Sequence, residues 1–173
     1  MTETASKGGL MAGRRGLIMG VANERSIAWS VASALAREGA QLAFTYQSDA
    51  MSKRVIPLAA SVGSDFTLEC DVANDADLDA VFAKIKQTWG HLDFVVHAIA
   101  YSDKNELKGR YADTTRQNFL ETMDISCFSF TNVARRATVL MGTGGSLITL
   151  SYLGSVRTIP NYNVMGVAKA ALE

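Results

Sequence analysis

The chain has 173 residues, of which 48% are hydrophobic and 20% charged, and its 17 basic side chains balance 17 acidic ones. That much apolar sequence suffices for one domain with a good core, and the neutral balance gives no one-signed field to draw nucleic acid or an anionic membrane. Cys70 and Cys127 form neither a CxxC motif nor a Cys/His cluster, so no structural zinc, other metal site or disulfide framework is expected.

Residues 1–12 are polar and glycine-containing, without the apolar segment of a secretory signal, and are expected to be a disordered lead-in. Residues 13–173 then read as one domain. Gly16 to Gly20 is a short apolar run closed by glycine, as in a strand buried on both faces. After a turn, Ser26 is positioned to cap a helix in which Ile27, Val31 and Leu35 repeat at helical spacing until Gly39. Gln41–Tyr46 is the second strand, residues 50–60 a helix, and Phe66–Cys70 the third strand. Leu78, Val81, Phe82, Ile85 and Trp89 make one apolar helix stripe before a fourth strand, Leu92–Ala98. This last run carries Asp93 and His97 and is far too short to span a membrane, so a cytoplasmic chain is expected. A polar loop, Ser102–Gly109, leads to a long helix over Thr115–Met141 with Phe119, Met123, Phe130, Val133 and Ala137 on its buried face. Glycines 142, 144 and 145 end it, and Ser146–Leu150 is the fifth strand. Strands alternating with helices through short connections predict an α/β fold, a doubly wound parallel sheet in a Rossmann-type three-layer sandwich.

In such sheets ligands bind beyond the carboxyl ends of the strands. Gly20, Gln47, Asp71, Ala98–Ala100 and Ser151-Tyr152 all fall there. Gly20 permits a close backbone approach, and the helix beginning at Ser26-Ile27 offers its amino end to an anion such as a pyrophosphate, although the segment is not GxGxxG. Gln47 is neutral and has no adjacent cation, which favours NADH over NADPH. Asp71 is placed to accept from an adenine amino group, with Val72 against the ring, or alternatively to cap the next helix. Tyr162 and Lys169 are seven positions apart and so share a helical face; an ammonium beside the phenol would lower its pKa and suit it to share a proton with a substrate oxygen. His97 reads as a packed strand residue and His91 as a surface one.

The segments Gly20-Val-Ala-Asn-Glu-Arg-Ser-Ile-Ala28, Phe44-Thr-Tyr-Gln47, Cys70-Asp-Val72, His97-Ala-Ile-Ala100, Thr149-Leu-Ser-Tyr-Leu-Gly154 and Ile159-Pro-Asn-Tyr-Asn-Val-Met-Gly166 together resemble the bacterial enoyl-[acyl-carrier-protein] reductases, divergent short-chain dehydrogenases. The resemblance runs from about Gly13 to Glu173. It implies that Tyr162 and Lys169 are the central pair, that Tyr152 is a second active-site tyrosine, and that Gly20, Ser26, Ile27, Gln47, Asp71, Val72, Ile99 and Lys169 line NADH. It also implies that Ser102 approaches the acyl substrate, an enoyl thioester on acyl carrier protein, and that the protein is a homotetramer in fatty-acid elongation. Ala98 and Ala100 depart from the serine and glycine common in that family. The family continues with further strands and helices beyond the point corresponding to Glu173, so the resemblance implies a C-terminally incomplete domain whose sheet exposes an edge. Two readings stay beside it: a carbonyl reductase or alcohol dehydrogenase of the same superfamily, against which the gap between Tyr162 and Lys169 speaks, and a noncatalytic dinucleotide-binding module.

Overall fold

Leu17, Ile18 and Met19 are wholly inaccessible, and since successive side chains of a strand point to opposite faces, both faces of this strand are covered. In the computed structural model, which describes residues 9–173, these residues belong to β1 (Arg15–Met19) at the centre of a five-stranded sheet. The other strands are β2 (Gln41–Tyr46), β3 (Thr67–Glu69), β4 (Phe94–His97) and β5 (Ser146–Thr149). The helices are α1 (Ile27–Arg37), α2 (Asp49–Ser61), α3 (Asp75–Trp89), α4 (Arg116–Met123), α5 (Ser129–Leu140) and α6 (Asn163–Leu172). The strand order is β3-β2-β1-β4-β5, with β1 parallel to β2 and β4, and β2 parallel to β3. The doubly wound parallel fold is the predicted one, and its order reverses between β1 and β4.

The chain groups into two compact units, one comprising the residues up to Ala98 with Ala137–Ile148, the other Ile99–Arg136 with Thr149–Glu173. In the first unit, Ile18, Leu42, Phe44, Phe94 and Val96 meet Ala28 and Ala32 of α1 and Val55 and Ala59 of α2 in one buried cluster. Leu78, Val81, Phe82 and Ile85 of α3 are buried as expected. Asp93 ties the entry edges of β1 and β4 together, accepting from the Arg15 amide and from Arg14 Nη1, both at 2.8 Å. Burial works to raise the Asp93 pKa, but the Arg15 N–H, the Arg14 guanidinium and the His91 ring outweigh it and hold the carboxyl below the usual carboxylate range. Arg15 also donates to the Trp89 carbonyl at 2.7 Å, at the end of α3 where Gly90 turns left-handed (φ +76°).

Three expectations are corrected. The lead-in ends earlier than Ala12: Met11 donates from its amide to the Glu38 carbonyl (3.0 Å) and packs on the core, whereas residues 1–8 lie outside the described residues. Ile27 is not part of the buried stripe of α1 but 63% exposed, because Ala28 and Ala32 take the face toward the sheet. The single long helix is instead α4 and α5 joined by a π-helical turn, Asp124–Phe128. Its most buried positions, apart from Val133 and Ala137, are polar: Asn118, Thr122, Ser126, Ser129 and Asn132.

Candidate active site

The first unit carries most of the residues expected to line a dinucleotide. At the switch between β1 and β4, the Ala98 amide donates to the Met19 carbonyl at 3.0 Å, and a Cβ on Gly20 (φ +96°) would stand 2.1 Å from the Ala98 oxygen. Glycine is therefore demanded here by the neighbouring strand. Ser26 occupies the cap position of α1, but its Oγ turns back to accept from the Ala22 and Asn23 amides at 3.0 Å each, so it shapes the strand-to-helix turn and leaves the helix amides ahead of it. Gln47 Nε2 lies 3.4 Å from Asp71 Oδ2, which pairs an amide with a carboxylate at the carboxyl ends of β2 and β3. Asp71 does not cap α3: its Oδ1 accepts from the Ala73 amide, whereas Asn74 is the cap, accepting from the Ala76 amide. Val72 is buried beside it.

The second unit carries the residues expected to act on substrate. Tyr162 precedes the first residue of α6, and its ring meets that of Tyr152 edge-on with centroids 5.0 Å apart. Tyr152 is 49% exposed, so it is not a core tyrosine. A Cβ on Gly154 would come within 2.4 Å of the Tyr162 ring, and one on Gly166 within 2.9 Å of the Gly154 carbonyl. Two glycines thus let the turn after Tyr152 and the first turn of α6 close on the phenol.

The expected lowering of the phenol pKa by Lys169 is overturned. Lys169 is only 6% exposed and its Nζ donates to the Leu150 carbonyl at 2.7 Å. Burial, and after it the neighbouring Tyr152, push the Tyr162 pKa up, so the phenol is neutral at physiological pH. Burial pulls the Lys169 pKa down, with Cys127 acting in the opposite sense. Tyr162 stands before the first residue of α6 rather than on the helix, and a lysine stem long enough to reach a strand-end carbonyl carries its charge there.

Ser102 sits in a polar network in which its Oγ donates to Asn118 Oδ1 (3.2 Å) and accepts from Thr122 Oγ1 (2.9 Å), while the Asp103 amide also donates to Asn118 Oδ1 (2.9 Å). One residue earlier, Ser126 of the π turn holds both the amide and the carbonyl of Tyr101 at 2.9 Å. Ile99, which opens this segment, is half-buried.

A family model described as enoyl-(acyl carrier protein) reductase matches residues 20–173. This chain belongs to that family. An NADH-type enoyl-[acyl-carrier-protein] reductase of Rhizobium meliloti is 67% identical over 165 residues, covering 95% of this chain and 62% of its own. Among solved structures, FabI from Candidatus Liberibacter asiaticus superimposes with a TM-score of 0.94 at 55% identity, covering 95% of this chain and 64% of that one. The enoyl-(acyl-carrier-protein) reductase of Anaplasma phagocytophilum, solved in complex with NAD, gives 0.93 at 55% identity, covering 95% and 63%. The chain thus spans less than two thirds of the length of these relatives.

In this enoyl reductase-family chain, sequence reasoning missed several residues that shape the tyrosine pair. A cavity of about 530 Å³ opens beside Tyr162, lined among others by Tyr111, Gly154, Ile159, Asn163 and Val167. Asn161 and Asn163 on either side of Tyr162 have positive φ, +60° and +22°. Alternating Asn-Tyr-Asn after a proline was the available signal, since asparagine tolerates left-handed backbone better than other residues bearing a side chain. The polar face that runs from α4 through the π turn into α5 had no such signal: its repeat of asparagine, threonine and serine resembles an exposed stripe.

Proposed function

We propose that this chain works as an NADH-dependent enoyl-[acyl-carrier-protein] reductase, converting trans-2-enoyl thioesters on acyl carrier protein to saturated ones. The observation that carries the reading is the Tyr152–Tyr162 pair, whose second member is a neutral phenol set against two glycines. Family membership supports it. The residues fit a dinucleotide: exposed Ile27 at the amino end of α1, the Gln47–Asp71 amide and carboxylate, and no cation at the end of β2 to match a 2′-phosphate.

NADH, held by these residues, would supply the hydride for the β-carbon of the enoyl group. Tyr162 keeps its proton and donates a hydrogen bond to the thioester oxygen, where negative charge develops, and a preorganised donor of this kind is worth about 2.7–4 kcal/mol. Tyr152 keeps the Tyr162 ring in place through the edge contact and borders the same substrate. Lys169, anchored on the Leu150 carbonyl, would present its charge to the cofactor's ribose, and Ile99 and Val72 would give the cofactor apolar contact. Gly20 and Ser26 shape the diphosphate turn, and Ser102 faces the acyl group. The enolate takes a proton from solvent at its α-carbon. A homotetramer formed through α4, the π turn and α5, where Leu120 and Phe128 are exposed, and a cytoplasmic location with the carrier protein complete the proposal.

The test is oxidation of NADH by the full chain with a trans-2-enoyl thioester and, separately, the matching β-ketoacyl thioester. Consumption with the enoyl substrate alone upholds the reading, consumption with the ketone alone makes the protein a carbonyl reductase, and NADH binding without either reaction makes it a dinucleotide-binding module.

A further inference from the structure

Asn163 is the first residue of α6 and the immediate neighbour of Tyr162, yet its side chain reaches 57 positions back along the chain. Its Nδ2 donates to the carbonyls of Glu106 (3.1 Å) and Lys108 (3.3 Å), and the Gly109 carbonyl lies at 3.5 Å. Because an amide nitrogen carries two hydrogens, the first two contacts are the bonds and the third shares them. Glu106 is itself a node: its carboxylate accepts from both the amide and the hydroxyl of Thr115 at 2.8 Å, and that hydroxyl caps α4 by accepting from the Asn118 amide. Asn118 in turn holds Ser102 and Asp103. The segment 102–110, which has neither helix nor strand, is therefore pinned at its start by Asn118 and further along by Asn163.

We propose that Asn163 is a positioning residue that clasps the 102–110 segment to the Tyr162 turn, so that the acyl-facing loop and the hydrogen-bonding phenol keep one fixed geometry. The proposal rests on the enoyl reductase reading for what the loop faces. Both halves of the requirement select asparagine. The backbone at φ +22° disfavours most side chains, and only a donor with two hydrogens satisfies two carbonyls at once. Glycine would meet the first demand alone. Aspartate would keep the shape but set carboxylate oxygens against carbonyl oxygens.

Asn163→Gly and Asn163→Asp in the full chain separate these demands. Trypsin under native conditions reads the loop through Lys104, Lys108 and Arg110, which are exposed, with the cuts identified by mass. Loss of the clasp should speed cleavage at these sites about tenfold in both variants, since two hydrogen bonds no longer hold the loop closed. It should also raise KM for the enoyl thioester about tenfold while the NADH dissociation constant stays within about twofold of wild type. Wild-type resistance to trypsin in Asn163→Gly would mean that the residue serves only its own backbone, and faster cleavage with unchanged KM would mean that the loop is anchored without positioning substrate. Either result overturns the proposal. Should the wild type reduce no enoyl thioester, the functional reading fails, and the cleavage rates still decide whether the clasp exists.

Discussion

A tyrosine that hands a hydrogen bond to a developing oxyanion is useful only while it keeps its proton. Tyr162 keeps it because burial, then the adjacent Tyr152, disfavour the phenolate, so its pKa lies above the ordinary value of about 10. Turnover should accordingly stay flat with rising pH through about pH 9, where a phenol of lowered pKa would already have lost its donor. A pH profile of kcat checks this, and a fall near neutrality would contradict the neutral-donor role. Tyr162→Phe should lower kcat about 10²–10³-fold and leave NADH affinity unchanged, as stopped-flow turnover and cofactor titration would show. At the end of β2, Gln47→Arg should move preference toward NADPH by about tenfold, because a guanidinium pairs with the 2′-phosphate. An unchanged ratio in a cofactor competition would place the adenosine ribose elsewhere.

Among the elements, the turn after Tyr152 and the start of α6 show how backbone packing sets side-chain position. Gly154→Ala would drive a methyl to 2.4 Å from the Tyr162 ring, and the ring must move because the Gly166 side is closed by the Gly154 carbonyl. A displacement of about 1 Å at a reacting group costs about a hundredfold in rate, so kcat should fall by that order while circular dichroism and melting stay near wild type. Glycine-rich punctuation made the strands and helices legible within a residue or two, as at β2, where the predicted and observed spans coincide at Gln41–Tyr46. The π turn at Asp124–Phe128 was not legible, since one extra residue in a helical turn leaves the apolar spacing around it almost unchanged.

For the molecule as a whole, stability at low pH depends on the charged pin at the entry side of the first unit's sheet. Asp93 has a folded pKa below its unfolded value of about 3.9, so its contribution is fully present above that pH and is lost as pH falls through the lowered folded value. Asp93→Asn removes the charge that the Arg15 amide and Arg14 guanidinium address, and should cost about 2 kcal/mol at pH 7. The difference between variant and wild type should shrink as pH drops below about 4, because protonation then does to the wild type what the substitution does to the variant. Urea unfolding at pH 7 and pH 3 measures both quantities, and an equal difference at the two pH values would remove Asp93 from the acid response.

What the sequence determined by itself was everything carried by short-range periodicity: buried parallel strands, amphipathic helices and glycine at the end of β1. Periods of two and 3.6 residues report which side of an element faces inward. They say nothing about which carbonyl lies within 3 Å of a given side chain. Only the tertiary structure decided that Lys169 spends its ammonium on Leu150, that Tyr162 stays neutral, that the buried face of α4 is polar because Ser102 and Asp103 need partners there, and that Asn163 reaches the loop at Glu106. Each joins segments distant in sequence, and a hydrogen bond is satisfied by proximity in space, which chain spacing does not encode.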